Sequence, residues 1–409
     1  MSVLGKAKRI VTDSLTASGR SSLMSRVADR ISARVPPSLH QHHVLATDIL
    51  GAMRAAHEPT ARPGGASLRI GWIVTPPVAG SGGHTTAFRM VAELERAGHR
   101  CELVLYDIFG GSTSEREAVI RRGWPQLKAG VRSIESGLDG FDAVVATGWQ
   151  TAYALATRSA GLDLHRFYFM QDFEPFFYPH GYEYALAEAT YSLDMNRIAL
   201  GEMVAARVRQ TGSTCAVVPF GCDTDTYHLT GESERAGVVF YSRAGTTRRG
   251  FLLAAMGLEE FHRRRPEVPI KVFGPLEKAV LSFPISWQGL LTPGQLNELY
   301  NTSVAGLGMS FTNISLVVGE MLSAGCVPIV NDSVDGRMDM PSPYVRWVDS
   351  NPHAVADALV AVVDDPPVDV DRIAASTNAN WTATQREFVT ALTSVVTGAA
   401  GPGDTSPAI

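Results

Sequence analysis

The chain has 409 residues, two to three times the length of a typical single domain (roughly 100–200 residues), so two domains with separate cores are expected. Apolar residues make up 45% and charged residues 19% of it, with 38 Gly and 23 Pro, which is typical of a globular α/β protein and excludes a coiled coil, a collagen and a disulfide scaffold. The formal net charge of −5 gives no electrostatic reason to expect nucleic-acid binding by the whole chain.

The first 66 residues differ from the rest, and we predict that they form a basic, helical N-terminal extension. Residues 1–40 contain seven basic and two acidic side chains, a net charge of +5, which leaves −10 on residues 41–409. Apolar residues between positions 4 and 34 fall loosely on one helical face, with basic residues between them. Such a helix either lies on an anionic membrane surface, or is solvated and packed on the protein, or is partly disordered. A second short helix is predicted near residues 44–56.

Nothing in the sequence predicts export or a membrane span. The four cysteines, Cys101, Cys215, Cys222 and Cys326, have no CxxC spacing, so we expect them to be reduced and to form neither a disulfide framework nor a zinc site. No apolar run reaches the 18 or more residues of a spanning helix, and the N-terminus lacks the apolar stretch of a secretory signal. We therefore expect a cytoplasmic location, with peripheral contact to the inner membrane face if residues 1–40 bind lipid.

The first domain is predicted to begin near residue 67 with a βαβ unit. The apolar run at 68–76 predicts a strand, residues 85–99 have helical spacing, and 101–107 form the next strand, with a Gly-rich loop after the first strand. This order favours a parallel, doubly wound sheet. The same domain has further predicted strands at 141–148, 165–172 and 214–221, and further predicted helices at 182–192 and 202–209.

The pattern restarts after a polar stretch that ends at residue 237, which predicts a second domain of the same architecture. Its predicted strands lie at 238–245, 270–275, around Trp287, at 305–310 and at 327–331, and its predicted helices at 250–264, 293–303 and 315–325. We therefore predict the following segments: an N-terminal domain at 67–222, a linker at 223–236, a C-terminal domain at 237–375, a helix at 376–398 that packs back on the N-terminal domain, and a tail at 399–409.

Two doubly wound domains place a cleft between the carboxyl ends of their sheets, where ligands of such sheets bind. In the N-terminal domain, residues 80–84 (GSGGH) are predicted to form a loop whose backbone N–H groups can face a phosphate or a hydroxyl. A merely tight turn between strand and helix explains the glycines equally well.

The C-terminal domain offers a cluster of cations at the end of its first predicted strand. Arg243, Arg248 and Arg249 could neutralise a diphosphate whose charge grows as its bond to a sugar breaks. The alternative is a solvated basic loop.

The opposite wall is predicted to come from the start of the helix at 315–325. Ser310, Thr312, Asn313 and Ser315 cluster there, where free N–H groups and the helix dipole favour an anion. Glu320 lies inside this otherwise apolar helix. It either accepts hydrogen bonds from ribose hydroxyls or pairs with a neighbouring Lys or Arg.

Several of these segments resemble motifs of one family. VPFGCDTDTYHL (218–229) resembles the P-x-G-x-D-x-x-x-F signature of retaining glycosyltransferases of the GT-B fold, glycosyltransferase family 4. YSRAGTTRRG (241–250) is similar to their G-R-x-x-x-x-K-G loop, and GEMLSAGCVPIV (319–330) to their E-A-M-A-x-G-x-P-V-I helix. WQGLLTPGQLNELYNTS (287–303) is similar to their G-x-(V/L)-(S/P)-x-x-x-L-x-x-L-Y stretch. More narrowly, QDFEPFFYP (171–179) resembles the rhamnosyltransferases that assemble bacterial surface rhamnans from dTDP-L-rhamnose.

The resemblance implies two facing Rossmann-like domains and a set of donor-binding residues. Arg243 and Arg248 match the family's catalytic diphosphate-binding Arg and Lys, and Arg249 could share that task. Glu320 matches the ribose-binding second acid of the E-x7-E motif. Because Thr312 stands where the first acid would be, Thr312 or Asn313 would contact the sugar through a hydroxyl, an amide or a backbone N–H. Further donor contacts are expected from Gly82, Gly83 and His84, from Ser315, and, around the base, from Phe273, Gly274, Gly289 and Leu290.

The acceptor site is predicted around the segment that follows the strand at 165–172. It contains Gln171, Asp172 and Glu174 next to aromatic residues that include Phe173 and Tyr178. Aromatic faces stack on sugars and carboxylates accept hydrogen bonds from hydroxyls, although such a run could equally be core and interdomain packing. Asp172 is also a minor candidate for a catalytic base.

No metal or other cofactor is expected, because the two Asp-x-Asp patterns at 223–225 and 369–371 do not close predicted strands. The predicted function is transfer of a sugar, L-rhamnose from dTDP-L-rhamnose by the resemblance, to a saccharide or lipid-linked acceptor in surface glycan synthesis. A GT-B nucleotide-sugar epimerase or hydrolase is the first alternative. A non-catalytic subunit that binds a nucleotide-sugar or a saccharide is the second, suggested by the missing first acid.

Overall fold

The computed structural model describes residues 44–53, 58–78, 80–231, 234–274, 281–377 and 380–399. The predicted basic helix within residues 1–40 lies outside the described residues. The described chain forms two α/β units, each built on an all-parallel sheet. This confirms the predicted fold class of two doubly wound domains.

The first sheet has seven strands: β1 (Arg69–Val74), β2 (Arg100–Leu105), β3 (Gly130–Ser133), β4 (Ala143–Ala146), β5 (His165–Met170), β6 (Asn196–Leu200) and β7 (Ala216–Val218). Their order across the sheet is β3-β2-β1-β4-β5-β6-β7. The central strands β4 and β5 are buried along their whole length, which explains why they are continuous apolar runs. β3 and β6 are not predicted, since β3 is a short edge strand and β6 begins with the polar pair Asn196 and Arg197.

The second sheet has six strands: β8 (Val238–Tyr241), β9 (Ile270–Phe273), β10 (Ser286–Gly289), β11 (Ala305–Leu307), β12 (Val327–Asn331) and β13 (Arg346–Val348). Their order is β10-β9-β8-β11-β12-β13. In both sheets the strand order reverses direction next to the first strand of the domain, β1 or β8. Loops that leave this switch point diverge and open a crevice, which is where ligands of doubly wound sheets bind.

The described residues form thirteen α-helices. They are α1 (Ala46–Gly51), α2 (Gly82–Arg96), α3 (Thr113–Gly123), α4 (Trp149–Arg158), α5 (Tyr182–Ala189), α6 (Glu202–Gln210), α7 (Phe251–Arg264), α8 (Pro293–Asn301), α9 (Leu316–Ser323), α10 (Val334–Met338), α11 (Pro352–Asp364), α12 (Val370–Ala375) and α13 (Trp381–Thr397). Of these, α3, α4, α10, α11 and α12 are not predicted from the sequence.

Helix α2 begins three residues earlier than predicted, which corrects the predicted Gly-rich loop. Ser81 is the N-cap residue, and its Oγ accepts a hydrogen bond from the backbone N–H of His84. Gly82, Gly83 and His84 therefore form the first turn of α2. An N-cap serine supplies an acceptor for one of the free N–H groups at a helix start, and this outweighs the low helix propensity of glycine.

Helix α13 packs on the first sheet although it follows the second one in the chain. Trp381, Phe388 and Leu392 are buried in the core that surrounds β1 and β5. The Phe388 ring stacks on Trp72, with 5.5 Å between the ring centroids, and meets the edge of Phe169 at 4.9 Å. The C-terminal helix thus ties the second domain back to the first.

Helix α1 is held on the first domain by a buried polar cluster. The Tyr106 hydroxyl donates a 2.6 Å hydrogen bond to Asp48, and Arg158 forms an ion pair with the same carboxylate at 3.1 Å. The four cysteines are buried, and none of them is joined in a disulfide bond. Within the described residues, no helix has both the length and the apolar character needed to cross a membrane.

Candidate functional site

A cleft of about 320 Å³ lies between the two domains. One wall comes from the first domain, where residues following β1, β4 and β5 meet the first turn of α2. The other wall comes from the second domain, where Arg248 and Arg249 precede α7 and where the loop after β11 leads into α9. The cleft therefore sits at the carboxyl edges of both sheets, as the sequence predicts for a ligand site.

Arg249 is the most deeply placed cation of the cleft. It donates a 2.7 Å hydrogen bond to the Ser310 hydroxyl. Burial lowers the pKa of Arg249 to about 10, which leaves it charged at neutral pH, and the nearby Asp172 carboxylate opposes the decrease. Its guanidinium is thus a positive charge in a largely dry site, where it interacts with an anion more strongly than it would in water.

Arg248 lies beside Arg249 and faces the first domain. Its guanidinium carbon is 4.1 Å from the centre of the Phe177 ring, and its buried Nε has no hydrogen-bond partner within the described chain. The backbone carbonyl of Arg248 accepts a 2.8 Å hydrogen bond from the N–H of Phe311. Gly250 follows with φ of +60°, and a Cβ there would lie 2.9 Å from the Phe311 ring, so glycine is needed to bring the loop this close.

Arg243 is in a different environment from the other two arginines. Its side chain is exposed at the end of β8 and donates a 3.3 Å hydrogen bond to the Tyr241 hydroxyl. It does not line the cleft, although it is close enough to lower the pKa values of Arg248 and Arg249 electrostatically. A ligand that extends out of the cleft toward Tyr241 would reach it.

Asp172 joins the two domains at the floor of the cleft. Its side chain is 6% exposed. Oδ2 accepts a 2.9 Å hydrogen bond from the Thr312 hydroxyl. Oδ1 accepts two hydrogen bonds, from the backbone N–H of Asn313 at 3.2 Å and from the backbone N–H of the next residue, Phe173, at 2.9 Å. Burial raises the pKa of Asp172, while Arg249 and the Thr312 hydroxyl act in the opposite direction.

These contacts decide what Thr312 and Asn313 can do. The Thr312 hydroxyl and the Asn313 backbone N–H are already bonded to Asp172, and the Asn313 side-chain amide donates to the Gln171 carbonyl at 2.9 Å. The donors that we expected to contact a sugar are therefore engaged between the domains. The neighbouring Ser315 is the buried N-cap residue of α9, and its side chain makes no capping hydrogen bond.

Glu174 lines the cleft behind Asp172. Its carboxylate accepts hydrogen bonds from the backbone N–H of Trp149, at the start of α4, and from the Tyr168 hydroxyl, at 2.8 and 2.9 Å. Burial raises the pKa of Glu174 to about 7, against the effect of these two donors. The group is held rigidly and titrates near neutral pH.

The aromatic residues of the predicted acceptor site separate into two groups. Phe173 is buried in the core of the first domain, where its ring stacks on Tyr191 at 5.4 Å, so its position corresponds to the packing alternative. The Tyr178 hydroxyl accepts a 3.0 Å hydrogen bond from the Trp149 indole and does not line the cleft. Gln171 and Phe177 do line it.

His84 lines the cleft but has no free ring nitrogen. Nδ1 lies 2.9 Å from the Ser81 hydroxyl and Nε2 lies 3.2 Å from the Thr75 carbonyl, so the neutral ring donates from Nε2 and accepts at Nδ1. Burial lowers the pKa of His84, which favours this neutral form. Gly82 and Gly83 line the cleft beside it and expose backbone to a ligand.

The predicted base-binding residues lie together at the ends of β9 and β10, outside the 320 Å³ cleft. The Gly274 N–H donates to the Gly289 carbonyl at 3.0 Å, and Gly274 has φ of +115°. Phe273 is buried and its ring stacks on Tyr241 at 5.0 Å. Leu290 is 79% exposed. Tyr241, the last residue of β8, was not predicted to belong to this site. Its position two residues before Arg243 could have indicated it.

Glu320 is half-buried on α9, and it accepts a 3.3 Å hydrogen bond from the Tyr300 hydroxyl. Burial raises its pKa to about 7. It does not line the 320 Å³ cleft. The nearby linker residue Asp223 forms an ion pair with Arg89 at 2.7 Å.

The first aspartate of each Asp-x-Asp pattern has a structural contact. Asp223 makes the ion pair with Arg89, and Asp369 is the N-cap residue of α12. In the part of the chain that the structure describes, no three His, Cys, Asp or Glu side chains are grouped so as to hold a metal ion.

A larger groove, of about 1010 Å³, lies away from these residues, along β6, β7 and α13. Asp339 crosses from the second domain at one end of it and accepts hydrogen bonds from the N–H groups of Glu202 and Met203, at the start of α6. A nearby ion pair joins Arg207 to Asp335 at 2.7 Å. This groove contains none of the predicted site residues.

Two facing doubly wound domains with a cleft between their carboxyl edges define the GT-B fold of glycosyltransferases, and the chain has this fold. Residues 135–203, which include β4, β5 and QDFEPFFYP, match the family model "WsaF, N-terminal domain". Over 272 residues the chain is 30% identical to O-antigen biosynthesis protein RfbC of Myxococcus xanthus, which covers 62% of this chain. The chain spans 21% of the length of that relative.

Solved structures show the same architecture at low sequence identity. Alr3699/HepE of Anabaena, in complex with UDP-glucose, is 12% identical and has a TM-score of 0.63 over 80% of this chain and 100% of that one. A putative UDP-N-acetylglucosamine 2-epimerase of Listeria monocytogenes is 11% identical, with a TM-score of 0.56 over 83% of this chain and 99% of that one. At these identities the likeness is one of fold.

Proposed function

We propose that the protein is a glycosyltransferase that moves a sugar from a nucleotide-diphosphate donor to a saccharide or lipid-linked saccharide acceptor in the synthesis of a bacterial surface glycan. The observation that carries the proposal is the pair Arg248 and Arg249, placed in the cleft between the carboxyl edges of both sheets. Two guanidinium groups in a shielded cleft suit a diphosphate leaving group, because they stabilise the charge that develops as the glycosidic bond breaks. The relationship to an O-antigen biosynthesis protein supports the biological setting.

For the donor we propose dTDP-L-rhamnose. The support is the resemblance of QDFEPFFYP to rhamnan-building enzymes, together with the match of the surrounding residues 135–203 to the WsaF N-terminal domain. HepE binds UDP-glucose, so UDP-sugars are the comparison donors. The base would lie against Tyr241 and the Gly274–Gly289 pair, which would also bring the diphosphate within reach of Arg243.

The proposed transfer retains the configuration of the sugar. The acceptor hydroxyl attacks on the face that the diphosphate leaves, and a diphosphate oxygen takes its proton. This route uses no protein base. Both ring nitrogens of His84 and both carboxylate oxygens of Glu174 are engaged in hydrogen bonds, which leaves Asp172 as the alternative base among these residues of the cleft. Since the arginines neutralise the diphosphate, the proposal includes no divalent cation or other cofactor.

A thermal-shift screen of dTDP-, UDP- and GDP-sugars on the full chain tests the donor. A ligand at about 100 times its dissociation constant adds about 2.7 kcal/mol to the stability of the folded state. Product analysis with the stabilising donor then tests the reaction. A new glycoside formed only when acceptor is present supports the transferase, whereas binding without turnover for any acceptor supports a non-catalytic subunit.

The second candidate is a nucleotide-sugar epimerase or hydrolase, which the fold likeness to the putative Listeria epimerase favours. It predicts an epimerised nucleotide-sugar or free sugar at the same rate with and without acceptor. Either product, formed without dependence on acceptor, would reject the transferase proposal.

We propose in addition that residues 1–40, with their net charge of +5, attach the protein peripherally to the inner face of the membrane. Each base near an anionic surface contributes about 1 kcal/mol to binding. Flotation of the full chain with phosphatidylserine vesicles, compared with a chain that starts at residue 41, tests this. Equal flotation of the two chains would reject it, and the retained Asp48 cluster keeps α1 in place in the shorter chain.

A further inference from the structure

The cleft is lined by both positive charge and hydrogen-bond acceptors. Arg248 and Arg249 provide the cations. Asp172 and Asn313 provide acceptors that the protein itself leaves partly unused. A ligand that carries an anionic group next to several hydroxyl groups would be oriented by this difference, because a phosphate is attracted to the arginines and repelled by the carboxylate.

The Asp172 carboxylate has unused acceptor capacity. The three hydrogen bonds that it accepts all come from uncharged groups: two on Oδ1, from the N–H groups of Phe173 and Asn313, and one on Oδ2, from the Thr312 hydroxyl. A carboxylate offers about four acceptor positions, so one position on Oδ2 is open among the described residues. The residue lines the cleft, where a ligand hydroxyl can reach it.

Asn313 supplies a second acceptor from the other domain. Its side chain is 8% exposed, and its Nδ2 donates to the Gln171 carbonyl, which fixes the orientation of the amide. Its Oδ1 is buried and accepts no hydrogen bond within the described part of the chain. Buried polar atoms are almost always paired in folded proteins, and an unpaired one calls for an explanation. A donor that arrives with a ligand is such an explanation.

From this geometry we infer that Asp172 and Asn313, one from each domain, bind hydroxyl groups of the transferred sugar. The inference rests on the proposed function and assigns Asp172 to the donor sugar instead of the acceptor or a catalytic base. Thr312 becomes a positioning residue, since its hydroxyl holds the Asp172 carboxylate. Because the two acceptors belong to different domains, sugar recognition requires the domains to be closed against each other.

The test compares a nucleotide-sugar with its free nucleotide, using isothermal titration calorimetry on the full chain. The probes are dTDP-L-rhamnose and dTDP, and UDP-glucose and UDP. Loss of a hydrogen bond to a charged group weakens binding by about tenfold or more. We therefore expect Asp172→Asn to weaken binding of the recognised nucleotide-sugar at least about tenfold and that of the free nucleotide less than about threefold.

Asn313→Ala provides an independent test, which matters if Asp172→Asn does not fold by circular dichroism and thermal melting. It should produce the same selective loss. The matched control is Asp335→Asn, because Asp335 also joins the domains, through its ion pair with Arg207, but lies outside the cleft. This variant should change the affinities for nucleotide and nucleotide-sugar by the same factor.

The outcomes separate the two proposals. If the wild-type chain binds neither nucleotide-sugar nor nucleotide, the proposed function fails, and this inference fails with it. If the wild type binds them and the Asp172 and Asn313 variants weaken both ligands equally, or neither, the inference alone is overturned. A selective loss of the nucleotide-sugar in both variants supports it.

Discussion

The guanidinium of Arg248 lies 4.1 Å from the centre of the Phe177 ring and thereby links the C-terminal domain to the N-terminal domain across the cleft. The two residues are 71 positions apart in the sequence, and they follow strands of different sheets, Phe177 after β5 and Arg248 after β8. The ring covers one face of the guanidinium and leaves its edge available for hydrogen bonds. Phe177 therefore orients the cation that we propose binds the diphosphate.

We expect Phe177→Leu to weaken dTDP and UDP binding by about threefold to thirtyfold, because a desolvated cation–π contact contributes up to about 2 kcal/mol. Calorimetric titration of the variant measures this. Phe177→Tyr, which keeps the ring, should bind within about twofold of the wild type. Phe176→Leu is the matched control, since Phe176 makes the same kind of contact with Arg207 at 5.2 Å, outside the cleft. If Phe176→Leu and Phe177→Leu have equal effects, Phe177 has no special role.

Arg243→Ala should lower turnover of the donor by more than about tenfold, with a change in melting temperature of less than about 1 °C. The melting temperature should hardly change, because Arg243 is exposed and its one described hydrogen bond, to Tyr241, is at the surface. Steady-state kinetics and a thermal melt measure the two effects. Arg372→Ala is the control and should change neither, because Arg372 is also exposed and does not line the cleft. Turnover by Arg243→Ala within about twofold of wild type would rule out the proposed role.

Gly201→Ala should destabilise the folded chain by about 1–3 kcal/mol or more. Gly201 has φ of +86°, and a Cβ there would lie 2.5 Å from Asp339 Oδ2, which caps the start of α6 from the other domain. Chemical denaturation measures the loss.

Gly212→Ala is the control for Gly201→Ala, because Gly212 has nearly the same φ, +81°, with open space around it. The Gly212→Ala variant therefore measures the effect of backbone strain without a steric clash. The double variant Gly201→Ala/Asp339→Ala should be less destabilised than the sum of the two single variants, since the second change removes the clash. Strict additivity, or equal effects of the two Gly→Ala changes, would contradict the proposed clash.

Glu174→Gln should reduce the dependence of stability on pH between about pH 5 and 7. Burial raises the pKa of Glu174 from its ordinary value of 4.5 to about 7. The folded state thus binds the proton more tightly than the unfolded chain, so the contribution of this group is complete below the unfolded pKa and is lost as the pH rises through about 7. Relative to the variant, the wild type should therefore lose stability as the pH rises from about 5 to about 7 and should change little above that, with each unit of pKa difference worth about 1.4 kcal/mol.

Thermal melts of both chains across this range provide the measurement. Glu260→Gln is the control, because hydrogen bonds from Arg263 and Arg264 lower the pKa of Glu260 to about 2, so this group stays ionised throughout. Its effect should be independent of pH in the range. A constant difference between wild type and Glu174→Gln would show that Glu174 does not titrate there.

The sequence by itself determined the two-domain α/β architecture, because strands buried on both faces, such as β4, β5 and β12, must be continuous apolar runs. Short strands next to polar residues escaped prediction, since β3, β6 and β13 form strands through pairing with neighbours rather than through their own composition. The start of α2 was missed for a similar reason: the Ser81 cap outweighs the low helix propensity of Gly82 and Gly83.

The local motifs also indicated which chemistry each loop can offer, because charge and hydrogen-bonding capacity are properties of the residues themselves. Arg248, Arg249, Asp172, Glu174 and Asn313 were all predicted, and all line the cleft. Their partners were decided only by the tertiary structure. The Thr312–Asp172 hydrogen bond joins residues 140 positions apart, and the Arg248–Phe177 contact joins two domains. Such pairs form only when the two domains pack against each other, and no local spacing in the chain specifies that packing.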